Sequence, residues 1–214
     1  MAIGDPQRAY WDSVAQTKNF SHPLRLDLFD GRFAASQRIL DLGCGYGRVA
    51  AQIAAAGYRN VIGVDTSREM IRRGLREHPE LDLQPVEGFP LPFRDASFGG
   101  VLLFSVLTGI PRDEDQVALL QEVHRLLEAD GILYISDLLL QEDRRNLDRY
   151  ARFAARFGRF GVFELSDGGV MRHHDPAWIR HLTAGFREAH WIEVDVTTMN
   201  GNTARAFQYV GRKV

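Results

Sequence analysis

The sequence predicts an α/β fold: a doubly wound, mostly parallel sheet with helices on both faces, finished by an antiparallel pair of strands. Three observations carry that expectation. Short apolar runs alternate with amphipathic stretches along the first two thirds of the chain. A glycine-dense turn, Gly43-Cys44-Gly45-Tyr46-Gly47, joins the first apolar run to the first helical stretch. Near the C-terminus, Asn200-Gly201-Asn202 separates two alternating runs with the composition of a tight hairpin turn.

Each element has its own signal. Residues 39–42 are a short apolar run ending at Gly43, and residues 49–56 are an alanine-rich helix closed by Gly57. Residues 60–64 form the second strand. Ser67 is placed to cap a helix that runs to Glu77 and stops before Pro79. Residues 81–86 are a third strand, and residues 100–106 are apolar throughout, as a strand buried on both faces is. Val117, Leu120, Val123 and Leu127 recur at helical spacing over residues 113–127, with Gly131 as the expected stop, and residues 132–135 are the fifth strand. The last third differs. Leu147, Tyr150, Ala154 and Phe157 mark one face of a helix, with Arg145, Arg149, Arg152 and Arg156 opposite it. Residues 161–173 read as a hairpin turning at Asp167-Gly168-Gly169. Asp175 and Pro176 open a short helix to residue 185. Residues 191–198 and 204–210 complete the sheet.

Composition narrows the class. The 214 residues, 45% hydrophobic and 25% charged, suit one globular domain spanning 1–214. Within it, residues 1–34 are expected as a helical lid and residues 139–175 as a substrate-side insertion. A net charge of −2 offers no global field for a polyanion, so no nucleic-acid partner is expected. Cys44 is the sole cysteine, which excludes an internal disulfide. No apolar run approaches the roughly 18 residues of a membrane span, and no apolar segment follows a basic start. A cytoplasmic monomer or homodimer without a membrane partner is the expectation.

The functional signal lies in residues 39–48 read with Asp65. Glycines at a strand-to-helix turn let a ligand approach the backbone, and ligands of open α/β sheets bind outside the strands' carboxyl ends. Asp65 follows the second strand about twenty residues later, where a carboxylate accepts hydrogen bonds from both ribose hydroxyls of a nucleoside. The dinucleotide alternative expects a third glycine where Arg48 stands. With Ile39 to Arg48, Val61 to Ile71, Leu91 to Phe98 and Glu122 to Gly131 in this order and spacing, the chain resembles the class I S-adenosylmethionine-dependent methyltransferases of small-molecule type. It departs from the family where Gly99-Gly100 follow Phe98 in place of a frequent aspartate.

The resemblance implies a seven-stranded Rossmann-like sheet and a site for S-adenosyl-L-methionine, released as S-adenosyl-L-homocysteine. Gly43 and Gly45 would lie under the methionine part and the ribose, with Asp41, Cys44 and Thr66 alongside. Asp65 would hold the ribose hydroxyls and Met70 would pack near the adenine. Glu87 would meet the adenine amino group, with the Gly88 amide nearby. The Phe104 carbonyl would face the methionine ammonium.

Methyl transfer from a sulfonium is an in-line displacement that depends on placing the nucleophile and excluding water. A base matters only where the nucleophile must lose a proton, and His22, His173 and His174 are the candidates. Adjacent histidines chelate poorly, so no metal is expected. Tyr10, Trp11, Arg149 and Arg172 are the expected substrate contacts, the arginines suiting an acidic acceptor, although a solvated helix face also explains the Arg145–Arg156 series. The expected reaction is methylation of an oxygen or nitrogen of a small molecule. The alternatives are a non-catalytic adenosyl-ligand-binding regulatory module and a methyltransferase acting on RNA or protein.

Overall fold

The computed structural model describes residues 5–28 and 34–214. The first four residues and residues 29–33 of the expected lid lie outside the described residues. The strands are β1 (Arg38–Leu42), β2 (Asn60–Asp65), β3 (Asp82–Pro85), β4 (Phe98–Phe104), β5 (Leu127–Leu138), β6 (Val162–Glu164), β7 (Val170–Arg172), β8 (Phe186–Thr197) and β9 (Thr203–Lys213). The helices are α1 (Asp5–Val14), α2 (Arg48–Ala55), α3 (Arg68–Glu77), α4 (Asp113–Leu126), α5 (Arg144–Phe157) and α6 (Pro176–Leu182).

Seven strands form one sheet in the order β3-β2-β1-β4-β5-β9-β8. The first five run parallel, and β9 lies antiparallel between β5 and β8. The doubly wound sheet with an antiparallel hairpin at its end is therefore what the chain adopts. Strand alternation sends successive side chains to opposite faces. Ile39 packs with Val49, Ala50 and Ile53 of α2 on one face. Leu40 and Leu42 pack with Leu119, Leu120 and Val123 of α4 and Ile179 of α6 on the other. All seven residues of β4 are buried, as its unbroken apolar run predicts.

Local chemistry sets the helix starts. The Ser67 side chain accepts the Met70 N–H, and the Asp175 side chain accepts that of Ala177 ahead of Pro176 at the first turn. Two details differ from the sequence expectation. Helix α4 does not wait for Gly131: it ends at Leu126 and the chain enters β5 directly, because Leu127 pairs with Phe98 and is fully buried. Helix α5 is rotated from the expected apolar face. Leu147 is 43% exposed, whereas Asn146 and Tyr150 are buried, so Arg149 is turned inward with them. The departure at Gly99 has a local cause. The β4–β5 register shifts between Phe98 and Gly100, and a Cβ at residue 99 would collide with the Gln37 side chain.

Candidate active site

The carboxyl ends of β1, β2 and β4 open into a cleft. Asp41, Gly43, Cys44, Gly45, Asp65, Thr66, Met70, Gly88 and Phe104 all line it. Its floor is built by backbone geometry. Gly43 and Cys44 both donate N–H bonds to the Val64 carbonyl, at 2.8 and 3.0 Å. Asp65 fixes the loops beside it: Oδ2 accepts the Gly45 N–H at 2.8 Å and Oδ1 accepts the Ser67 N–H at 2.7 Å. Burial raises the Asp65 pKa, opposed by those two backbone donors. Asp41 is buried behind the loop, accepts the Ala50 N–H at 3.1 Å, and is pushed up to about 7 by desolvation. Cys44 is a buried free thiol whose pKa burial raises well above its ordinary value.

A second cavity adjoins the cleft. Trp11, Phe20 and Ser105 line both spaces and so form their junction. The second cavity has apolar walls that include Phe163, Met171 and Met199, and polar groups from His22, His173, Arg145, Asn146 and Arg149. Helix α1 forms part of the roof. The Asp12 carboxylate accepts from Ser67 Oγ at 2.7 Å and from the Glu69 N–H at 3.1 Å, tying α1 to the start of α3. Lys18 pairs with Asp167 of the β6–β7 turn at 2.8 Å.

Four expected site residues line neither space. Glu87 is exposed and pairs with Arg8 and Arg68 instead of entering the cleft. Tyr10 is buried under the β6–β7 turn, its hydroxyl donating to Asp167 at 3.4 Å. Arg172 is buried against Asp113 at 2.7 Å and the Pro111 carbonyl. His174 is fully buried; its Nδ1 donates to the Leu138 carbonyl at 3.1 Å and its Nε2 accepts from the Gln116 amide at 2.9 Å, which occupies both ring nitrogens. Two residues were missed. Phe20, stacked on Tyr46 at 5.7 Å, sits in a polar-looking stretch, with no periodicity to mark it. Ser105 adopts a left-handed backbone (φ 58°) at the end of β4, a conformation nothing in the sequence announces.

The two remaining histidines both line the second cavity. The Tyr150 hydroxyl accepts the Gln141 N–H at 3.2 Å and a side-chain hydrogen bond from Arg149, which fills both lone pairs, so its own proton is directed at His173 Nδ1, 2.6 Å away. His173 then carries its proton on Nε2 and is a donor. Burial, then the Arg149 charge, lowers its pKa well below the ordinary value. His22 places Nδ1 3.0 Å from Ser136 Oγ, and burial followed by the Arg48 charge lowers its pKa to about 4.

The His22 value makes a stability prediction. The unfolded imidazole protonates near 6.5 and the folded one near 4, so its contribution is complete above pH 6.5 and is lost as pH falls toward 4. The buried Asp41 and Asp137 carboxyls, pushed up to about 7, act in the opposite sense. A comparison of wild type with His22→Asn cancels them. The stability difference from urea unfolding is expected to shift against the wild type by up to about 3 kcal/mol between pH 7 and pH 4. A pH-independent difference would contradict the assignment.

Comparison with known proteins agrees with this geometry. A family model described as a methyltransferase domain matches residues 40–135. A ubiquinone biosynthesis O-methyltransferase of Xanthomonas oryzae is 30% identical over 199 residues, covering 89% of this chain and 78% of that protein. The chain belongs to the class I S-adenosylmethionine-dependent methyltransferases. A ubiquinone/menaquinone biosynthesis C-methyltransferase of Geotalea uraniireducens is 35% identical over 108 residues, 47% of this chain and 45% of that one. The chain spans about half the length of several such curated relatives. A solved S-adenosylmethionine-dependent methyltransferase from Methanosarcina mazei superposes with a TM-score of 0.82 at 21% identity, covering 87% of this chain and 97% of that one.

S-adenosylmethionine is the cofactor of this family, and the cleft fits it. A Cβ at Gly43 would stand 2.6 Å from Val106 Cγ2, so only glycine lets the loop pass this closely to Val106 at the floor of the cleft. The cleft also offers a carboxylate at Asp65 and an apolar wall at Met70, Val86 and Leu91. Among the described residues, no group of three or more His, Cys, Asp or Glu side chains is positioned to hold a metal, and no helix is long and apolar enough to cross a membrane.

Proposed function

We propose that this methyltransferase-family chain transfers a methyl group from S-adenosylmethionine to an oxygen or nitrogen of a small molecule held in the second cavity. The observation that carries this reading is the junction at Trp11, Phe20 and Ser105, which places a closed-in second space directly beside the cofactor cleft. A binding module without turnover has no use for that space, and its apolar walls with a few polar groups suit a small molecule. When bound, the cofactor supplies an electrophilic methyl on a sulfonium whose leaving group becomes neutral.

The chain's own residues do the rest. Asp65 orients the ribose while holding the Gly45 and Ser67 amides. The Gly88 amide and Met70 flank the adenine, and the Phe104 carbonyl receives the methionine ammonium. Trp11 and Phe20 exclude water from the junction. His173 donates from Nε2 to the spare lone pair of an acceptor oxygen, or to a polar group beside an acceptor nitrogen, and fixes the direction of approach. His22, neutral and with Nδ1 engaged by Ser136, accepts the acceptor's proton at Nε2.

Titration calorimetry with S-adenosylhomocysteine, followed by transfer of labelled methyl to a panel of phenols and amines, tests the reading. Absence of heat ends it, and heat without transfer to any acceptor favours the binding module. With an active acceptor, His22→Asn is expected to lower kcat by about 10²-fold, while His173→Asn acts mainly on KM. Unchanged kcat in His22→Asn removes it as the base.

A further inference from the structure

The charges lining the second cavity are one-sided. Two guanidinium groups, Arg145 and Arg149, and two imidazoles face it, and no carboxylate is found among its described lining residues. Arg145 is partly compensated: it contacts the Asn202 side chain, and its Nε lies 3.8 Å from Asp143. Arg149 has no carboxylate within ion-pair distance among the described residues. Its guanidinium is hydrogen-bonded to the Tyr150 hydroxyl and sits over Phe163, 3.5 Å from the ring centroid, while its Nε is buried without a hydrogen-bond partner. His22 and His173 are held neutral by burial. Arg145, Arg149 and Asp143 together leave one uncompensated positive charge.

A second unsatisfied group lies one helical turn away. Asn146 is 1% exposed and lines the same cavity. Its Nδ2 contacts the Asp143 carboxylate, which can only accept, so the amide orientation is settled and Oδ1 is the free acceptor. That Oδ1 has no donor among the described residues. Positions 146 and 149 share a face of α5 by their spacing. A buried acceptor without a donor, beside a half-buried guanidinium that has no carboxylate partner among the described residues, is costly in the absence of a ligand.

We propose that the second cavity recognises a methyl acceptor bearing a monoanionic carboxylate on an aromatic body, with a neighbouring hydroxyl. The proposal rests on the reading of this cavity as the acceptor site. Arg149 receives the carboxylate, Asn146 Oδ1 accepts a hydrogen bond from the neighbouring hydroxyl, and Phe163, Met171 and Met199 pack on the ring; the nucleophile that His22 deprotonates is a separate group on the same body. The single uncompensated charge selects a monoanion over a phosphate dianion. The planar guanidinium over the Phe163 ring offers paired N–H groups whose fork matches a carboxylate.

The test uses 2-hydroxybenzoate and its neutral amide, 2-hydroxybenzamide, titrated into the full chain with and without saturating S-adenosylhomocysteine. The carboxylate is expected to bind at least tenfold tighter than the amide. Arg149→Gln should erase that ratio, and Arg149→Lys, which keeps the charge but not the fork, should recover part of it. Benzoate, lacking the hydroxyl, should bind several-fold more weakly than 2-hydroxybenzoate in the wild type. Thermal melting and S-adenosylhomocysteine affinity unchanged in Arg149→Gln would place the loss in the second cavity. A carboxylate that binds no tighter than its amide, including no binding of either, overturns the proposal, as does a ratio that survives Arg149→Gln. Failure of S-adenosylhomocysteine itself to bind the wild type would instead remove the methyltransferase reading. The probes titrated without it keep the two outcomes apart.

Discussion

Asp65→Ala is expected to weaken S-adenosylhomocysteine binding by at least about 100-fold and to lower the melting temperature as well. The two effects come from two sets of hydrogen bonds on one carboxylate. Toward the ligand, a ribose diol offers two O–H donors to an ionised acceptor, and hydrogen bonds to charged groups contribute about 1.5–3 kcal/mol each. Toward the protein, Oδ1 and Oδ2 already accept the Ser67 and Gly45 amides. Each oxygen has a second lone pair, so the same atoms can serve both partners. Alanine leaves the ribose without its acceptor and orphans two backbone N–H groups, at about 1–3 kcal/mol for each one that water cannot reach. Asp65→Asn separates the contributions. The amide retains one oxygen but turns an NH₂ toward the other backbone donor, so intermediate affinity and an intermediate melting temperature are expected. Calorimetry and thermal melting measure both. Affinity within threefold of wild type in Asp65→Ala would remove Asp65 from the ribose site.

What the sequence made legible follows from how local each signal is. The 39–65 segment was readable because glycine turns, a serine cap and a fixed strand–helix–strand spacing all depend on neighbouring residues. Those residues line the cleft as a group. The antiparallel ending was readable from Asn200-Gly201-Asn202 for the same reason. Three features were not. The rotation of α5 depends on what it packs against: the Tyr150–His173 contact and the Arg149–Phe163 stack draw the 146/149/150 face inward and leave Leu147 outside. Glu87 follows its strand at the expected place, yet Arg8 on α1 and Arg68 on α3 hold its side chain at the surface. The histidines could be counted in the sequence but not told apart. Which of them faces a cavity, and which ring nitrogen carries the proton, is set by Tyr150, Ser136 and Gln116, from elements far away along the chain.

Gly43→Ala should be the most damaging single-methyl change in the cleft, with a stability loss of about 2–4 kcal/mol and at least tenfold weaker S-adenosylhomocysteine binding. One part is backbone strain. Gly43 has φ 75°, and an L-residue held there pays roughly 1 kcal/mol. The other part is steric, because the new methyl would lie 2.6 Å from Val106 Cγ2 and 3.2 Å from Cγ1. The loop has little room to retreat, since the Gly43 and Cys44 amides both bond the Val64 carbonyl. Val106 must therefore move, and it lines the cleft beside Ser105 and Gly109. The strain and the clash can be separated experimentally. Val106→Ala removes both clashing methyl groups while leaving the backbone cost untouched. In a double-mutant cycle, Gly43→Ala should cost at least 1 kcal/mol less in the Val106→Ala background than in the wild type. The remaining cost should match the left-handed backbone alone. An equal cost in both backgrounds would mean the damage is conformational, and that the close approach of β4 to the glycine loop is not what shapes the cleft.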